Sequence, residues 1–202
     1  YIYYFDAQGH MRTGWQQSGD KKYYFAEDGK AIVGWHIENN KKYYFKATGE
    51  MATGFEEVEG VKYYFLDSGE IATGLQKAGS DYYYFNSEGI IQTGFITINN
   101  KKYYFDNDGK RAVGWREIDG YKYYFDASSG TYFTGLKVIN DKKYYFDSEG
   151  RMSEGHLYIS GNNYYFGEDG AAITGWYEED EAKYYFSKTG IRVENKWDVI
   201  DG

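Results

Sequence analysis

The 202-residue sequence contains no cysteine, which excludes disulfide bridges, zinc–thiolate sites and thiol catalysis. It has no basic run longer than a Lys-Lys pair, and its formal net charge is -8. Nucleic-acid binding needs a basic surface that neutralises phosphates, so the composition argues against it. No apolar stretch approaches the roughly 20 residues of a membrane-spanning helix. We therefore expect neither a nucleic-acid partner nor a membrane span.

Aromatic residues, in contrast, make up 22% of the sequence, although its mean hydropathy is only -0.77. Most of them belong to a Tyr-Tyr-Phe triad that returns every 20 residues, with one step of 21. The triads begin at Tyr3, Tyr23, Tyr43, Tyr63, Tyr83, Tyr103, Tyr123, Tyr144, Tyr164 and Tyr184. A fixed period of this length is typical of a repeat protein.

Each unit holds two strand-like segments joined by two residues that favour a tight turn. Asp119-Gly120, for example, separates residues 115–118 from residues 121–125. This dipeptide favours a β-hairpin because both turn residues need a positive φ. The corresponding pairs are Gly19-Asp20, Asn39-Asn40, Glu59-Gly60, Gly79-Ser80, Asn99-Asn100, Asn140-Asp141, Ser160-Gly161 and Asp180-Glu181. The pattern predicts nine full hairpins within residues 1–202, with half-hairpins at both ends.

The turn also fixes which residues face each other across a hairpin. With residues 119–120 as the loop, Trp115 lies opposite Tyr124, and both share a face with Lys122. Tyr123 and Phe125 point to the other face, which is the more consistently apolar one, so we assign it to the core. A ligand would then bind on the face of Trp115.

The lysine position of this face lies opposite an acid in some of the hairpins. Such an arrangement predicts exposed cross-strand ion pairs, each worth less than ~1 kcal/mol. The predicted pairs are Glu57–Lys62, Glu117–Lys122 and Glu178–Lys183.

A second turn follows each triad and contains a regularly spaced glycine. Residues 106–109 resemble the start of a calcium loop, but the remaining ligands are missing, so we predict a turn with positive φ at Gly109. His10, His36 and His156 lie in different units, and none accompanies a nucleophile motif. We predict no catalytic residue, no metal, no cofactor and no enzymatic activity.

An isolated two-stranded hairpin is marginally stable in water, so each unit must bury its aromatic residues against its neighbours. We therefore predict an all-β fold in which residues 1–202 form a single solenoid domain of repeated ~20-residue β-hairpins. The first triad lacks a preceding strand, and residues 197–202 supply only the first half of a unit. We expect the chain to be a fragment of a longer protein.

The unit that begins at Gly34-Trp35 and continues through Lys42-Tyr43-Tyr44-Phe45 resembles the cell-wall-binding repeat superfamily. This group includes choline-binding repeats, the glucan-binding repeats of glucansucrases and the short repeats of clostridial toxin combined repetitive oligopeptides. The Lys-Lys-Tyr-Tyr-Phe segment is more similar to the last two. The resemblance covers nearly the whole chain and implies a left-handed β-solenoid, about three hairpins per turn, and a non-catalytic role in surface binding.

The resemblance leaves the ligand open. Choline-binding repeats carry a second tryptophan immediately before Tyr-Tyr, which completes a cage for the cation. In this sequence the position is lysine in most units, Asn163 in one, and aromatic only at Tyr82. The lysines are Lys22, Lys42, Lys62, Lys102, Lys122, Lys143 and Lys183. A lysine repels a quaternary ammonium group, so we expect most choline cages to be broken.

Three functions remain under consideration. The first is a cell-wall or cell-surface glycan-binding module that anchors a larger protein, secreted or on the bacterial surface. The second is a choline-binding module, and the third is a structural spacer or protein-interaction solenoid without a small ligand. Binding through several weak sites would gain affinity from multivalency.

The candidate ligand-binding residues are the Gly-Trp tryptophans, the tyrosines opposite them, and the aromatic residue at the lysine position. They are Trp15, Trp35, Trp115, Trp176, Tyr24, Tyr44, Tyr124, Tyr185 and Tyr82. In other units the tryptophan position is occupied by Phe55, Leu75, Phe95, Leu136, His156 and Trp197. The alternative interpretation is that these aromatic residues only pack between successive hairpins.

Overall fold

A computed structural model describes residues 1–194. The regular secondary structure of these residues consists of short β-strands. The first strands are β1 (Tyr4–Phe5), β2 (Met11–Arg12), β3 (Gly14–Ser18), β4 (Lys21–Phe25), β5 (Gly34–Glu38), β6 (Lys41–Phe45), β7 (Gly54–Val58), β8 (Val61–Phe65), β9 (Gly74–Ala78), β10 (Asp81–Phe85) and β11 (Ile91–Gln92). The next are β12 (Gly94–Ile98), β13 (Lys101–Phe105), β14 (Gly114–Ile118), β15 (Tyr121–Phe125), β16 (Gly135–Ile139), β17 (Lys142–Phe146), β18 (Gly155–Ile159), β19 (Asn162–Phe166), β20 (Gly175–Glu179) and β21 (Ala182–Phe186). The predicted all-β repeat fold is confirmed.

The chain divides into two compact units, which we describe separately. One consists of Tyr1–Ile96 with Phe105–Arg111, and the other of Thr97–Tyr104 with Ala112–Gly202, described as far as residue 194. The single-domain organisation and the left-handedness of the solenoid stay predictions. Trp197, which the sequence places in a tryptophan position, lies outside the described residues.

The antiparallel hairpins have the register that the sequence predicts. In β14–β15, Trp115 pairs with Tyr124 and Glu117 with Lys122. The turn residue Asp119 has a φ of 52°, in the left-handed region that a tight hairpin turn requires. The hairpins within the two units are β3–β4, β5–β6, β7–β8, β9–β10, β14–β15, β16–β17, β18–β19 and β20–β21.

The segment after each triad is a turn, as predicted for residues 106–109. The amide of Gly109 donates to the carbonyl of Asp106 at 2.8 Å, and φ of Gly109 is 79°. The carboxylate of Asp106 accepts from the backbone amides of Asp108 at 3.0 Å and Lys110 at 2.8 Å. The carboxylate therefore closes the turn by accepting from its own backbone.

The core is built from the first and third residues of the triads. The phenylalanines below 2% exposure are Phe45, Phe65, Phe85, Phe105, Phe125, Phe146, Phe166 and Phe186. Tyr123, the first residue of its triad, is also buried at 5% exposure. The assignment of Tyr123 and Phe125 to the core face is thus confirmed.

Successive repeats are joined by backbone hydrogen bonds as well as by packing. The amide of Met51 donates to the carbonyl of Lys22, and that of Ile71 to the carbonyl of Lys42, both at 2.8 Å. Each bond joins the second strand of one hairpin to the turn segment that follows the next hairpin. Neighbouring repeats therefore stabilise one another, as expected for a repeat array.

Candidate ligand-binding site

The best-defined surface feature is an aromatic box that surrounds Trp15, Trp35 and Trp115. The ring of Trp15 lies 5.2 Å from that of Tyr24 across the hairpin, in edge-to-face contact. On its other side lie Tyr43 at 5.0 Å and Phe45 at 5.8 Å, both from the next hairpin. Trp15 is nevertheless 39% exposed. The box thus fixes the orientation of the indole while leaving part of it open to solvent.

The next hairpin repeats this box around Trp35. Its ring centroid lies 5.1 Å from Tyr44, 5.0 Å from Tyr63 and 5.9 Å from Phe65. The three centroid distances therefore agree with those around Trp15 to within about 0.1 Å.

The box recurs around Trp115, which belongs to the second of the two compact units. Here the distances are 5.1 Å to Tyr124, 5.0 Å to Tyr144 and 5.9 Å to Phe146. Trp176 also contacts its cross-strand partner, Tyr185, at 5.1 Å, but it is 65% exposed. The repeat sequence therefore builds the same aromatic frame at several places.

An open groove of about 330 Å³ lies on the exposed side of Trp15. Its lining residues are Trp15, Gln16, Gln17, Lys22, Tyr43 and Ser68. The Gln16 side-chain amide donates to the carbonyl of Thr13 at 2.9 Å, and that of Gln17 to the carbonyl of Gly19 at 3.0 Å. The lining combines two aromatic rings with amides, a hydroxyl and an amine, and it contains no carboxylate.

A similar groove of about 340 Å³ beside Trp115 has a different charge balance. Its lining residues are Trp115, Arg116, Glu117, Lys122, Tyr144, Met152 and Asp169. A backbone hydrogen bond from Ala171, followed by one from the Lys142 side chain, lowers the pKa of Asp169. Asp169 is therefore a carboxylate at neutral pH, and this groove contains both signs of charge.

A third groove, lined by Trp176, Tyr177, Glu178 and Lys183, has a volume of about 400 Å³. In this groove Trp176 lies beside Lys183, which occupies the lysine position, and beside the acidic residue Glu178. The three grooves described here therefore share a tryptophan, a lysine and a tyrosine.

Tyrosines from the next hairpin form a wall that the sequence analysis did not assign to the site. Tyr43 and Tyr144 are both 8% exposed, as expected for core residues, but each also lines the groove beside the tryptophan of the preceding hairpin, Trp15 or Trp115. Tyr24 and Tyr124 contact the tryptophans but are not among the residues that line these grooves. The repeat spacing could have revealed this wall, because each of these tyrosines begins the triad of the hairpin that follows the hairpin of its tryptophan.

Comparison with known proteins assigns the family. Residues 12–54, 92–132, 133–166 and 158–197 match the family described as choline-binding repeat. Residues 53–71 and 73–91 match the putative cell wall binding repeat. The chain belongs to the choline-binding repeat family. No protein in the curated collection matches the sequence.

Solved structures of choline-binding proteins share the fold. CbpJ from Streptococcus pneumoniae TIGR4 is 26% identical, with a TM-score of 0.84 over 95% of this chain and 84% of that protein. Choline binding protein F from Streptococcus pneumoniae, crystallised with a peptidoglycan analogue, is 25% identical, with a TM-score of 0.81 over 95% and 83%. A structure of CbpF with ipratropium is 29% identical, with a TM-score of 0.69 over 85% of this chain and 62% of that one.

These findings confirm the predicted superfamily and show that the chain is built from cell-wall-binding repeats, which are non-catalytic binding units. Proteins of this family are associated with the cell surface. The described residues contain no helix long and apolar enough to cross a membrane.

The lysines of this choline-binding repeat protein do not form all the ion pairs predicted for them. Lys183 lies 3.6 Å from Glu178, as predicted. Lys62 and Lys122 face Glu57 and Glu117 in the register, but neither forms an ion pair within the described part of the chain. The ammonium of Lys62 instead lies 4.8 Å from the ring centroid of Phe55. An exposed ion pair is weak enough for other contacts of the side chain to replace it.

Tyr82, the aromatic residue at the lysine position, faces internal cations. The guanidinium of Arg111 lies 4.3 Å from its ring centroid, and the Lys77 ammonium lies 5.8 Å away. In this hairpin the tryptophan position is occupied by Leu75, which is 37% exposed. Tyr82 therefore has charged groups of the protein over its ring rather than a second aromatic wall.

The histidines pair with nearby carboxylates. His156, in a tryptophan position, lies 2.7 Å from Glu179 and 4.6 Å from the ring of Tyr165. His36 packs on Tyr24 at 4.4 Å. Among the described residues, no cluster of three or more histidine or acidic side chains is suited to hold a metal ion.

Proposed function

We propose that this chain is a non-catalytic module that binds cell-wall glycan and attaches a larger secreted protein to the bacterial surface. The groove at Trp15 carries the proposal. Its aromatic rings, Trp15 and Tyr43, offer apolar faces that match the C–H faces of a sugar ring. Gln16, Gln17 and Lys22 supply donors and acceptors for hydroxyl groups.

The charge of this groove favours a glycan over a small cation. Lys22 is the charged residue of the lining, and no lining carboxylate offsets it. A quaternary ammonium group in the groove would therefore be repelled rather than neutralised. Choline binding protein F, which shares the fold, was crystallised in the presence of a peptidoglycan analogue, and this supports a wall glycan as the ligand.

Choline is the second candidate, favoured by the family match and by the groove at Trp115. Glu117 and Asp169 line that groove and could offset the charges of Arg116 and Lys122 around a bound cation. CbpF, in complex with ipratropium, also shares the fold. The two grooves could then recognise different parts of one decorated wall polymer, with affinity increased by multivalency.

Sedimentation with purified Gram-positive cell walls tests the proposal. We expect the wild-type chain to bind and to be released by soluble muropeptides, with little release by choline chloride. Trp15→Ala removes the aromatic floor of the groove and should weaken binding about tenfold, the effect of removing one aromatic anchor. Trp15→Phe should retain part of the affinity because it keeps a ring.

The matched control is Val33→Ala, which trims a 56% exposed apolar side chain that does not line the grooves at Trp15, Trp115 and Trp176. Circular dichroism and urea denaturation establish that each variant is folded. Retention that is abolished by choline chloride alone would favour the choline-binding alternative. Wall binding that is unchanged in folded Trp15→Ala would contradict the role of this groove.

A further inference from the structure

In two hairpins the aromatic residue at the tryptophan position has a lysine of the same hairpin over its ring. The Lys42 ammonium lies 4.0 Å from the ring centroid of Trp35, and that of Lys62 lies 4.8 Å from the centroid of Phe55. A cation within about 6 Å over an aromatic face is attracted by the quadrupole of the ring. A ligand ammonium would bind in the same place, so each lysine occupies the position that a cationic ligand would need.

The difference between Trp35 and Trp15 lies in this lysine and not in the aromatic frame. The distances to the three surrounding rings agree closely, with 5.0 Å to Tyr63 in one box and 5.0 Å to Tyr43 in the other. The backbone is also held alike, since the carbonyls of Lys42 and Lys22 each accept an amide at 2.8 Å. Among the described residues, no lysine ammonium lies over Trp15, where Lys22 lines the open groove.

The cross-strand neighbours show that the aromatic face competes well for these ammonium groups. Lys42 lies opposite Ile37, which is 68% exposed and has no side-chain acceptor. Lys62 lies opposite Glu57, yet its ammonium is placed over Phe55 and not within ion-pair distance of that acid. The aromatic face thus holds the lysine both with and without an acidic neighbour.

We propose that Lys42 and Lys62 are specificity-determining residues that close the aromatic faces of Trp35 and Phe55 to small cationic ligands. Each ammonium acts as an internal ligand, and an external quaternary ammonium must displace it before it can bind. Within residues 1–194, no lysine ammonium lies over Trp15 or Trp115, and both rings stay accessible from their grooves. The inference rests on one part of the proposed function, namely that ligands bind at the aromatic residues in the tryptophan position.

The test uses choline chloride as the probe and reads each site separately. Each of the five tryptophans carries one indole N–H, which a ¹⁵N-labelled chain reports by NMR. At constant ionic strength, Lys42→Gln should tighten choline binding at Trp35 by about two- to fivefold, the equivalent of an exposed cation–π contact. Lys42→Arg keeps a cation over the ring and should leave the affinity unchanged. The substitution spares the backbone carbonyl that bonds Ile71.

Lys22→Gln is the matched control because it removes the same charge from a lysine that does not cover an aromatic ring. The proposal requires a larger gain at Trp35 in Lys42→Gln than at Trp15 in Lys22→Gln. Equal gains would mean that only the overall charge matters and would overturn the proposal, as would no gain in a folded Lys42→Gln variant.

A measurement on the unmodified chain keeps the proposal testable even if a variant fails to fold. Ring currents of Trp35 should shift the Hε protons of Lys42 upfield, whereas those of Lys22 should remain near ordinary values. Ordinary shifts for Lys42 would overturn the proposal. Neither measurement depends on cell-wall sedimentation, so failure of the glycan-binding function would be recognised separately.

Discussion

The hairpins that carry Trp15 and Trp35 have the same aromatic frame but different exposed surfaces. Beside Trp15, Lys22 lines an open groove, whereas Lys42 covers the ring of Trp35 at 4.0 Å. Both lysines are part of an identical Lys-Lys-Tyr-Tyr-Phe segment. The comparison indicates that the fold determines where an aromatic ring lies, while the exposed side chains determine what can reach it.

The energies of the two kinds of contact explain this division. Phe45 and Phe65 are 0% exposed beneath the two boxes, and truncation of such a residue costs about 3–5 kcal/mol. An exposed cation–π contact is worth only about 0.5–1 kcal/mol. A substitution at the lysine position can therefore change the exposed surface of one repeat without loss of the fold.

The largest expected effect comes from removing the buried ring that packs against Trp15. Phe45→Ala deletes a fully buried ring 5.8 Å from Trp15 and should lower the free energy of unfolding by about 3–5 kcal/mol. Urea denaturation measures this loss, and the indole N–H signal of Trp15 should shift more than that of Trp35. Phe5→Ala, at the same triad position but 57% exposed, should cost less than about 1 kcal/mol. Equal losses in the two variants would show that burial does not control stability here.

The frame could be predicted from the sequence because period, turn and register leave few alternatives. Residues such as Asp119-Gly120 fix the hairpin loop, and strand alternation then sends Tyr123 and Phe125 to the core. The second role of Tyr43, as a wall for Trp15, was not predicted because it depends on how one hairpin packs against the next. Register within a hairpin carries no information about that packing.

The positions of the lysine side chains could not be predicted either. Lys22 and Lys42 have the same neighbours in sequence, and the acid opposite Lys62 does not hold its ammonium. Each exposed contact contributes less than ~1 kcal/mol, so small differences in the surroundings decide between an acid, a ring and solvent. The wrong ion-pair predictions at Lys62 and Lys122 have this origin.

A smaller effect is expected from Gly69→Ala, which acts on the Trp15 side through a turn. Gly69 has a φ of 89°, and an added Cβ would collide with the sulfur of Met51, which packs with Tyr43 and Phe45. We expect a loss of about 2–3 kcal/mol in the free energy of unfolding, measured by urea denaturation. The Trp15 signal should also shift, because the adjacent Ser68 lines its groove.

Gly54→Ala separates backbone strain from this collision. Gly54 also has a positive φ, 73°, but nothing lies within 4 Å of an added Cβ. Its substitution should cost about 1–2 kcal/mol and leave the Trp15 signal in place. A Gly54→Ala variant as destabilised as Gly69→Ala would indicate that strain alone accounts for both losses.

The smallest expected effect concerns the tyrosines beside the two tryptophans at alkaline pH. Burial, together with the nearby Glu38 carboxylate, raises the pKa of Tyr24 above its ordinary value of 10.0. Its hydroxyl donates to Glu38 at 3.3 Å, whereas the residue 14 positions after Tyr44 is Val58, which has no acceptor. The folded state therefore holds the Tyr24 proton more tightly than the unfolded state does.

The sign of the pH dependence follows from this difference in proton affinity. The contribution of Tyr24 is fully present below pH 10, the unfolded value, and is lost as the pH rises from there through the higher folded pKa. Absorbance titration at 295 nm, with Tyr24→Phe as the difference reference, measures that pKa. Glu38→Gln should lower the pKa of Tyr24 by removing the carboxylate, while burial should keep it above 10. If Glu38→Gln left the pKa unchanged, burial alone would account for the shift, and the hydroxyl–carboxylate contact would not distinguish the Trp15 hairpin from its neighbour.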